Sequence, residues 1–172
     1  MQDDLDTRFG RLREPERIDK WEDRAPDSRC RLDSAVAAVL RTLAQCAGAP
    51  LLMASARTTN YLWVIDEAGS TIMAVEEIAL RPPEAPRSGY PRRRGFQHLS
   101  EERKLGHPTL VDGRPVRIAG EIALDDTTDG LKWVLNANSG RYCRQAPPAK
   151  RQIEAAADQF RSLGLDVEID YL

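Results

Sequence analysis

The residues best suited to chemistry are concentrated between residues 106 and 142. A histidine, or a carboxyl group whose pKa is raised by burial, can exchange protons near neutral pH. His107 and Glu121 are therefore candidate catalytic groups, and Tyr142 is a candidate ring for stacking on a base or sugar. Four polar residues near them are candidate substrate ligands: Asn136, Asn138, Ser139 and Arg141. These residue types predict a polar site, although each residue alone also fits an ordinary structural role.

The turn at residues 138–140 indicates what kind of molecule such a site would hold. An Asn-Ser-Gly sequence permits a sharp turn with exposed backbone N–H groups, and such groups can bind an anion. Arg141 adds a fixed positive charge next to this turn. His107 precedes Pro108, which favours an extended backbone, so the imidazole could reach the same turn. We therefore expect a small nucleotide-like molecule as the ligand.

Two predicted strands, residues 116–124 and 131–138, must bring these side chains together. Side chains alternate between the two faces of a strand, so Glu121 lies on the face away from the aliphatic residues of its own strand. If the tryptophan of the second strand joins the core, Asn136 shares the face of Glu121 and lies across the hairpin from it. Gly120 is expected to leave room for a group to approach the carboxylate.

The remaining elements predict an α+β fold with a single, mainly antiparallel sheet of about six strands packed by two helices. Helices are expected from Asp33 or Ser34 to Cys46, and after Pro147. Strands are expected in the apolar run 51–55, in a hairpin around Gly69, and in the alternating C-terminal segment. The sheet face away from the helices is expected to be partly open or covered by the long basic loop, residues 81–98.

The chain is expected to divide into a charged, partly ordered N-terminal tail, residues 1–31, and a single α+β domain, residues 32–172. Within the domain, residues 81–98 form a basic loop rich in proline and arginine. Arg93 is a candidate substrate ligand in this loop. Together with Tyr90 and Phe96, the arginines could also contact a nucleic-acid backbone.

Composition argues against several classes of protein. The 172 residues are 41% hydrophobic and 30% charged, which is ordinary for a globular protein. A net charge of −2 creates no field that would attract nucleic acid, so nucleic-acid binding is the weaker hypothesis. No apolar run approaches the roughly 20 residues needed to span a bilayer, so membrane insertion is not expected. The N-terminus lacks an apolar leader, so we expect a cytoplasmic protein or one exported without a cleavable signal.

The cysteines and the known metal-binding patterns predict no metal site. Cys30, Cys46 and Cys143 are odd in number and share no CxxC spacing. We expect three free thiols and no disulfide or zinc centre.

The last two-fifths of the chain, about residues 104–172, resembles the C-terminal modules of bacterial secreted effectors and polymorphic toxins. The resemblance lies in GHPTL (106–110), AGEI (119–122) and NANSGRY (136–142), followed by a predicted helix and a final strand. It implies an effector or toxin, associated with a secretion system, that acts on a nucleotide-like substrate.

The same stretch also resembles ADP-ribosyltransferase toxins of the His-Tyr-Glu type. That resemblance implies that His107 holds the ribose of NAD, Tyr142 stacks on nicotinamide and Glu168 stabilises the oxocarbenium-like centre. NAD would then be the cofactor, and the sequence requires no other. The chain departs from the family in two places: only one predicted helix separates Tyr142 from Glu168, and Pro108 follows the histidine.

A non-catalytic role is the alternative hypothesis. An immunity protein, a secretion chaperone or an adaptor would bind a cognate protein partner, and the order of helices and strands is compatible with small chaperone-like folds by analogy. The sequence leaves open whether the chain is an enzyme.

Overall fold

The computed structural model describes residues 2–46, 49–79, 89–94 and 103–171. These residues contain four α-helices: α1 (Gln2–Phe9), α2 (Ser34–Gln45), α3 (Pro50–Arg57) and α4 (Lys150–Ser162). A 3-10 helix spans His107–Leu110. The strands are β1 (Cys30–Arg31), β2 (Asn60–Ile65), β3 (Thr71–Val75), β4 (Glu77–Ala79), β5 (Gly89–Pro91), β6 (Lys104–Leu105), β7 (Ile118–Thr127), β8 (Gly130–Asn136) and β9 (Val167–Ile169).

Six of these strands form one sheet in the order β1-β3-β2-β7-β8-β9. All neighbouring strands are antiparallel except β8 and β9, which are parallel because α4 connects them across the sheet. The α+β class and the six-stranded, mainly antiparallel sheet are confirmed. A second small sheet of β5, β4 and β6 lies beside it.

One face of the large sheet packs against α2 and α4. The Asp33 side chain accepts hydrogen bonds from the backbone N–H groups of Ala35 and Val36, which caps the start of α2. The apolar stripe of α4 buries Phe160, whose ring meets Trp63 of β2 edge to face with 6.3 Å between ring centroids. This face therefore carries the main hydrophobic core.

The opposite face carries a second apolar cluster. Leu62, Val64 and Ala119 of the sheet pack there with Leu110, Val111, Val116 and Tyr142. Among the described residues, the chain around the 3-10 helix and the turn after β8 covers this face. The long loop expected to cover this face lies mostly outside the described residues, and the cover that the structure describes comes from these two segments with their own apolar side chains.

Two further expectations need correction. Residues 51–55 lie in α3 and not in a strand, because Pro50 at the first helical position and the following leucine, methionine and alanine residues favour a helix. The described residues therefore contain four helices, where two were expected. Most of the basic loop 81–98 lies outside the described residues.

The N-terminal segment contacts the rest of the domain at several points. Phe9 of α1 is 1% exposed, and the buried Arg117 donates to Asp6 at 2.5 Å and to the carbonyl oxygen of Gly10 at 3.2 Å. Further along, Arg13 forms a backbone bridge with Val116. Residues 10–22 thus continue as a strap across the sheet face opposite α2 and α4.

No single helix among the described residues is long and apolar enough to cross a membrane; only α2 and α3 taken together, as a bent pair, have the length and composition.

Candidate functional site

A cavity of about 400 Å³ lies on the sheet face that the strap crosses. Its walls come from β2, β6, β7, the start of the 3-10 helix, the turn after β8 and the strap. The charged and titratable residues that line it are Glu16, Arg17, Glu76, Lys104, His107, Glu121, Arg141 and Arg144. Three residues predicted from the sequence, His107, Glu121 and Arg141, therefore lie around one cavity.

His107 is held in a single orientation at the start of the 3-10 helix. The side chain is buried, and Nε2 lies 2.9 Å from the carbonyl oxygen of Gly120. Burial lowers the pKa of His107 to about 4, with a smaller contribution in the same direction from the positive charge of Arg141. The imidazole is therefore neutral near pH 7. Since the carbonyl of Gly120 accepts, Nε2 carries the proton and Nδ1 is left as an acceptor.

Gly120 is required by the protein's own packing. A Cβ atom at this position would lie 1.9 Å from the backbone oxygen of Asn136 and 2.7 Å from the ring of Trp63. The sequence had suggested that the missing side chain gives a ligand access to Glu121. That reason was wrong, because the space is filled by the neighbouring strand and by Trp63.

Glu121 and Glu76 bring two carboxyl groups to the same cavity. Burial raises the pKa of Glu121, and the negative charge of Glu76 raises it further, whereas a hydrogen bond from Asn60 and the charges of Lys104 and Arg92 act in the opposite direction. Both cations pair with Glu76: Arg92 Nη1 lies 2.9 Å and Lys104 Nζ 3.9 Å from its carboxylate. Glu121 therefore keeps its proton to a higher pH than an ordinary glutamate does.

Arg141 is fixed by acidic residues of the strap. Its Nη2 donates to Asp19 at 2.5 Å and to Glu22 at 3.2 Å. The Glu22 side chain is fully buried and also accepts the backbone N–H of Gly106 at 3.0 Å. Nη1 of Arg141 is buried and has no hydrogen-bond partner among the described residues. A buried guanidinium donor without a partner is costly, so Arg141 keeps this position at the expense of one unmade hydrogen bond.

Two of the predicted catalytic residues do not line this cavity. Tyr142 is 3% exposed and packs in the apolar cluster, and its hydroxyl donates to the carbonyl oxygen of Arg114 at 2.9 Å. Burial is the main cause that raises its pKa. Glu168 lies exposed on the edge strand β9, where it pairs in register with Val134. Two strand spacings, roughly 10 Å, separate β9 from β7.

The other predicted ligands have different surroundings. Asn136 faces Glu121 across the β7–β8 pair as expected, but its side-chain oxygen accepts the backbone N–H groups of Glu121 at 3.3 Å and Asn138 at 2.9 Å. Asn138 and Ser139 line a second cavity of about 760 Å³ on the other side of the turn. Arg93 forms a backbone bridge with Thr59 and is exposed.

The sequence reasoning missed four residues of the site: Glu76, Lys104, Asp19 and Glu22. The only signal for Glu76 is an acidic pair directly after an apolar strand. Lys104, Asp19 and Glu22 lie in segments with dense charges and no periodic pattern, so nothing in the sequence distinguishes them. Among the described residues, no group of three or more histidine, cysteine, aspartate or glutamate residues could hold a metal ion.

Comparison of the chain with models of known protein families, with curated proteins and with solved structures found no match.

Proposed function

We propose that the chain binds a small nucleotide-like molecule in the 400 Å³ cavity and that Glu121 exchanges a proton with it. The observation that carries this proposal is the convergence of a neutral His107, a carboxyl group with a raised pKa and the guanidinium of Arg141 on one cavity. Titratable groups with pKa values shifted by burial and by one named charge are frequent at catalytic sites.

The size and charge of the cavity support the proposed class of ligand. Ligand pockets commonly have volumes of roughly 300–1,000 Å³, so this one lies at the small end, suited to a group about the size of one nucleotide. Arg141 and Lys104 can attract a phosphate or carboxylate, and Nδ1 of His107 can accept from a hydroxyl group.

An effector or toxin role is the wider form of this proposal. It is supported by the resemblance of residues 104–172 to secreted effector and toxin modules. ADP-ribosyl transfer from NAD is the narrower form, and it needs Tyr142 and Glu168 in addition to His107. Because those two residues lie away from the cavity, we base the chemistry on His107 and Glu121.

A comparison of two carboxyl variants tests the proposal. Glu121→Gln removes the proton exchange but keeps the size of the side chain, and Glu168→Gln is a matched control on the exposed edge strand. Each variant and the wild type are expressed in bacterial and eukaryotic hosts, and growth is followed. We expect wild-type expression to arrest growth, Glu121→Gln to relieve the arrest and Glu168→Gln to leave it unchanged. Relief by Glu168→Gln alone would favour ADP-ribosyl transfer, and harmless wild-type expression in both hosts would contradict an effector or toxin.

Ligand binding is tested directly by calorimetric titration with AMP and ADP-ribose. We expect Arg141→Met to weaken binding at least 10-fold, because it removes a guanidinium charge from the wall of the cavity. Arg57→Met is the control, since Arg57 is exposed and pairs with Asp126 away from the cavity. Equal affinity of both variants for the nucleotide would place the ligand elsewhere.

A non-catalytic partner protein is the second candidate, and exposed leucines on α3 favour it. Leu51 is 88% and Leu52 55% exposed, which is unusual for two adjacent large apolar residues. In this case a cognate protein covers α3, and His107→Gln has no phenotype. Co-purification of the wild type with a partner that Leu51→Asp abolishes would support this role, whereas a monomer by light scattering with no retained partner would contradict it.

A further inference from the structure

The second cavity, of about 760 Å³, differs in charge from the first. It lies between the turn after β8, the start of α4 and Tyr171. Arg144 and Lys150 line it, and none of its lining residues carries a carboxyl group. The first cavity, in contrast, has three glutamates in its walls. The two cavities therefore favour different ligands, although both contact Gly140 and Arg144 on the shared turn.

The cationic side of the second cavity is built from a defined contact. Lys150 Nζ lies 5.0 Å from the centre of the Tyr171 ring, within the range of a cation–π interaction. The Tyr171 hydroxyl donates to Glu154, which holds the ring beside α4. The ring thus holds the ammonium group beside the cavity, while its charge remains available to an anion.

Apart from Asn138 and Ser139, the rest of the lining is small or apolar. Ala137, Cys143 and Ile153 are half-buried or buried, and Pro147 and Pro148 restrict the backbone. An aromatic or aliphatic body fits these side chains, whereas a positively charged group would have no carboxylate to pair with. The lining therefore combines apolar side chains with two cations.

We propose that this cavity is a second binding site, for a phosphorylated small molecule with a planar or apolar body. The phosphate lies between Arg144 and Lys150, and the body contacts Ile153 and the edge of Tyr171. The assignment does not depend on the chemistry of Glu121, because neither that residue nor His107 lines this cavity.

The test uses AMP, adenosine and inorganic phosphate as probes, with binding followed by two-dimensional NMR of the 15N-labelled full chain. AMP is expected to shift the backbone signals of Lys150, Ile153 and Tyr171 saturably. Adenosine, which lacks the phosphate, is expected to bind at least 10-fold more weakly. Inorganic phosphate is expected to shift the signal of Lys150 but not that of Ile153. Lys150→Glu should weaken AMP binding at these signals at least 10-fold. Arg151→Glu is the matched control, because Arg151 is the next residue of α4, is exposed and does not line the cavity.

Three results would overturn the assignment: equal binding of AMP and adenosine, equal loss in the two charge-reversal variants, or the absence of saturable shifts at Lys150, Ile153 and Tyr171. Glu121→Gln separates this inference from the proposed function. Shifts at the second cavity that persist in Glu121→Gln support two independent sites. If that variant abolishes them, the inference of an independent second site is wrong.

Discussion

His107 is expected to make the folded state less stable as the pH falls, and His107→Gln isolates this effect. The imidazole is 5% exposed and its Nε2 lies 2.9 Å from the carbonyl oxygen of Gly120. A glutamine amide places an N–H donor near the position of Nε2 but does not titrate. The variant therefore keeps a donor for the hydrogen bond and removes only the protonation equilibrium.

The size of the effect follows from the two pKa values. An unfolded chain has a histidine pKa near 6.5, and the folded state lowers that of His107 to about 4. Above pH 6.5 the imidazole is neutral in both states and has no influence on the free energy of unfolding. Between pH 6.5 and 4 the unfolded state binds a proton that the folded state does not, so the free energy of unfolding falls by up to about 3 kcal/mol.

Urea denaturation of the wild type and of His107→Gln between pH 4 and pH 7 measures this difference. The contributions of the carboxyl groups cancel between the two curves, so the wild type should lose about 3 kcal/mol more than the variant. NMR gives a second measurement: His98→Gln removes the chain's other histidine and assigns the His107 signals, which should titrate only as the pH approaches 4. Parallel stability curves, or a His107 signal that titrates near pH 6.5, would refute the reasoning.

Three further predictions concern packing and charge. Gly120→Ala should destabilise the fold by about 3 kcal/mol or prevent folding, because its Cβ would lie 1.9 Å from a backbone oxygen. Gly140→Ala is the control: no atom lies within 4 Å of its Cβ, so it should cost less than about 0.5 kcal/mol in urea denaturation. Arg117→Met should lower the free energy of unfolding by about 3–5 kcal/mol in the same assay, because Arg117 is 1% exposed and donates four hydrogen bonds. Arg94→Ala removes only an exposed ion pair and should lower it by under about 1 kcal/mol. Glu121→Gln should raise the thermal midpoint at pH 7, because the raised pKa of Glu121 means that its ionisation destabilises the folded state. The increase in the midpoint should become smaller as the pH falls towards 4.5. An increase that does not depend on pH would contradict this prediction.

The large sheet could be predicted because the alternation of apolar and polar residues in its strands fits only one assignment of side chains to the two faces. Alternation in residues 116–124 and 131–138 assigns opposite faces to Glu121 and the aliphatic residues of its strand, and the structure pairs Glu121 with Asn136 as expected. The apolar run 51–55 had no such constraint. Its residues fit a buried strand and a helix equally by periodicity, and Pro50 at the first helical position favours the helix.

The site was only partly predictable, because much of it is built by contacts between distant segments. His107, Glu121 and Arg141 lie in segments with recognisable turns and strands. Glu22 lies 84 residues from Gly106, whose N–H it accepts, and no local pattern brings the two together. The same limit applies to Tyr142: its position after the turn suggested a ligand-facing ring, but the apolar cluster formed by residues from several segments buries it.

The distribution of cations between the two carboxyl groups argues that the cavity is more than a by-product of folding. A site selected only for stability would place a positive charge beside both the buried Glu76 and the half-buried Glu121, because a carboxylate withdrawn from water without a partner is costly. Here Arg92 and Lys104 both pair with Glu76, and no described residue forms an ion pair with Glu121. His107 is not a substitute, because burial keeps it neutral near pH 7. The two groups also respond oppositely to pH: His107 lowers stability as the pH falls below 6.5, and Glu121 lowers it as the pH rises above 4.5. Stability costs on both sides of mildly acidic pH agree with our proposal that Glu121 exchanges a proton with a ligand, because titratable groups with shifted pKa values are frequent at catalytic sites.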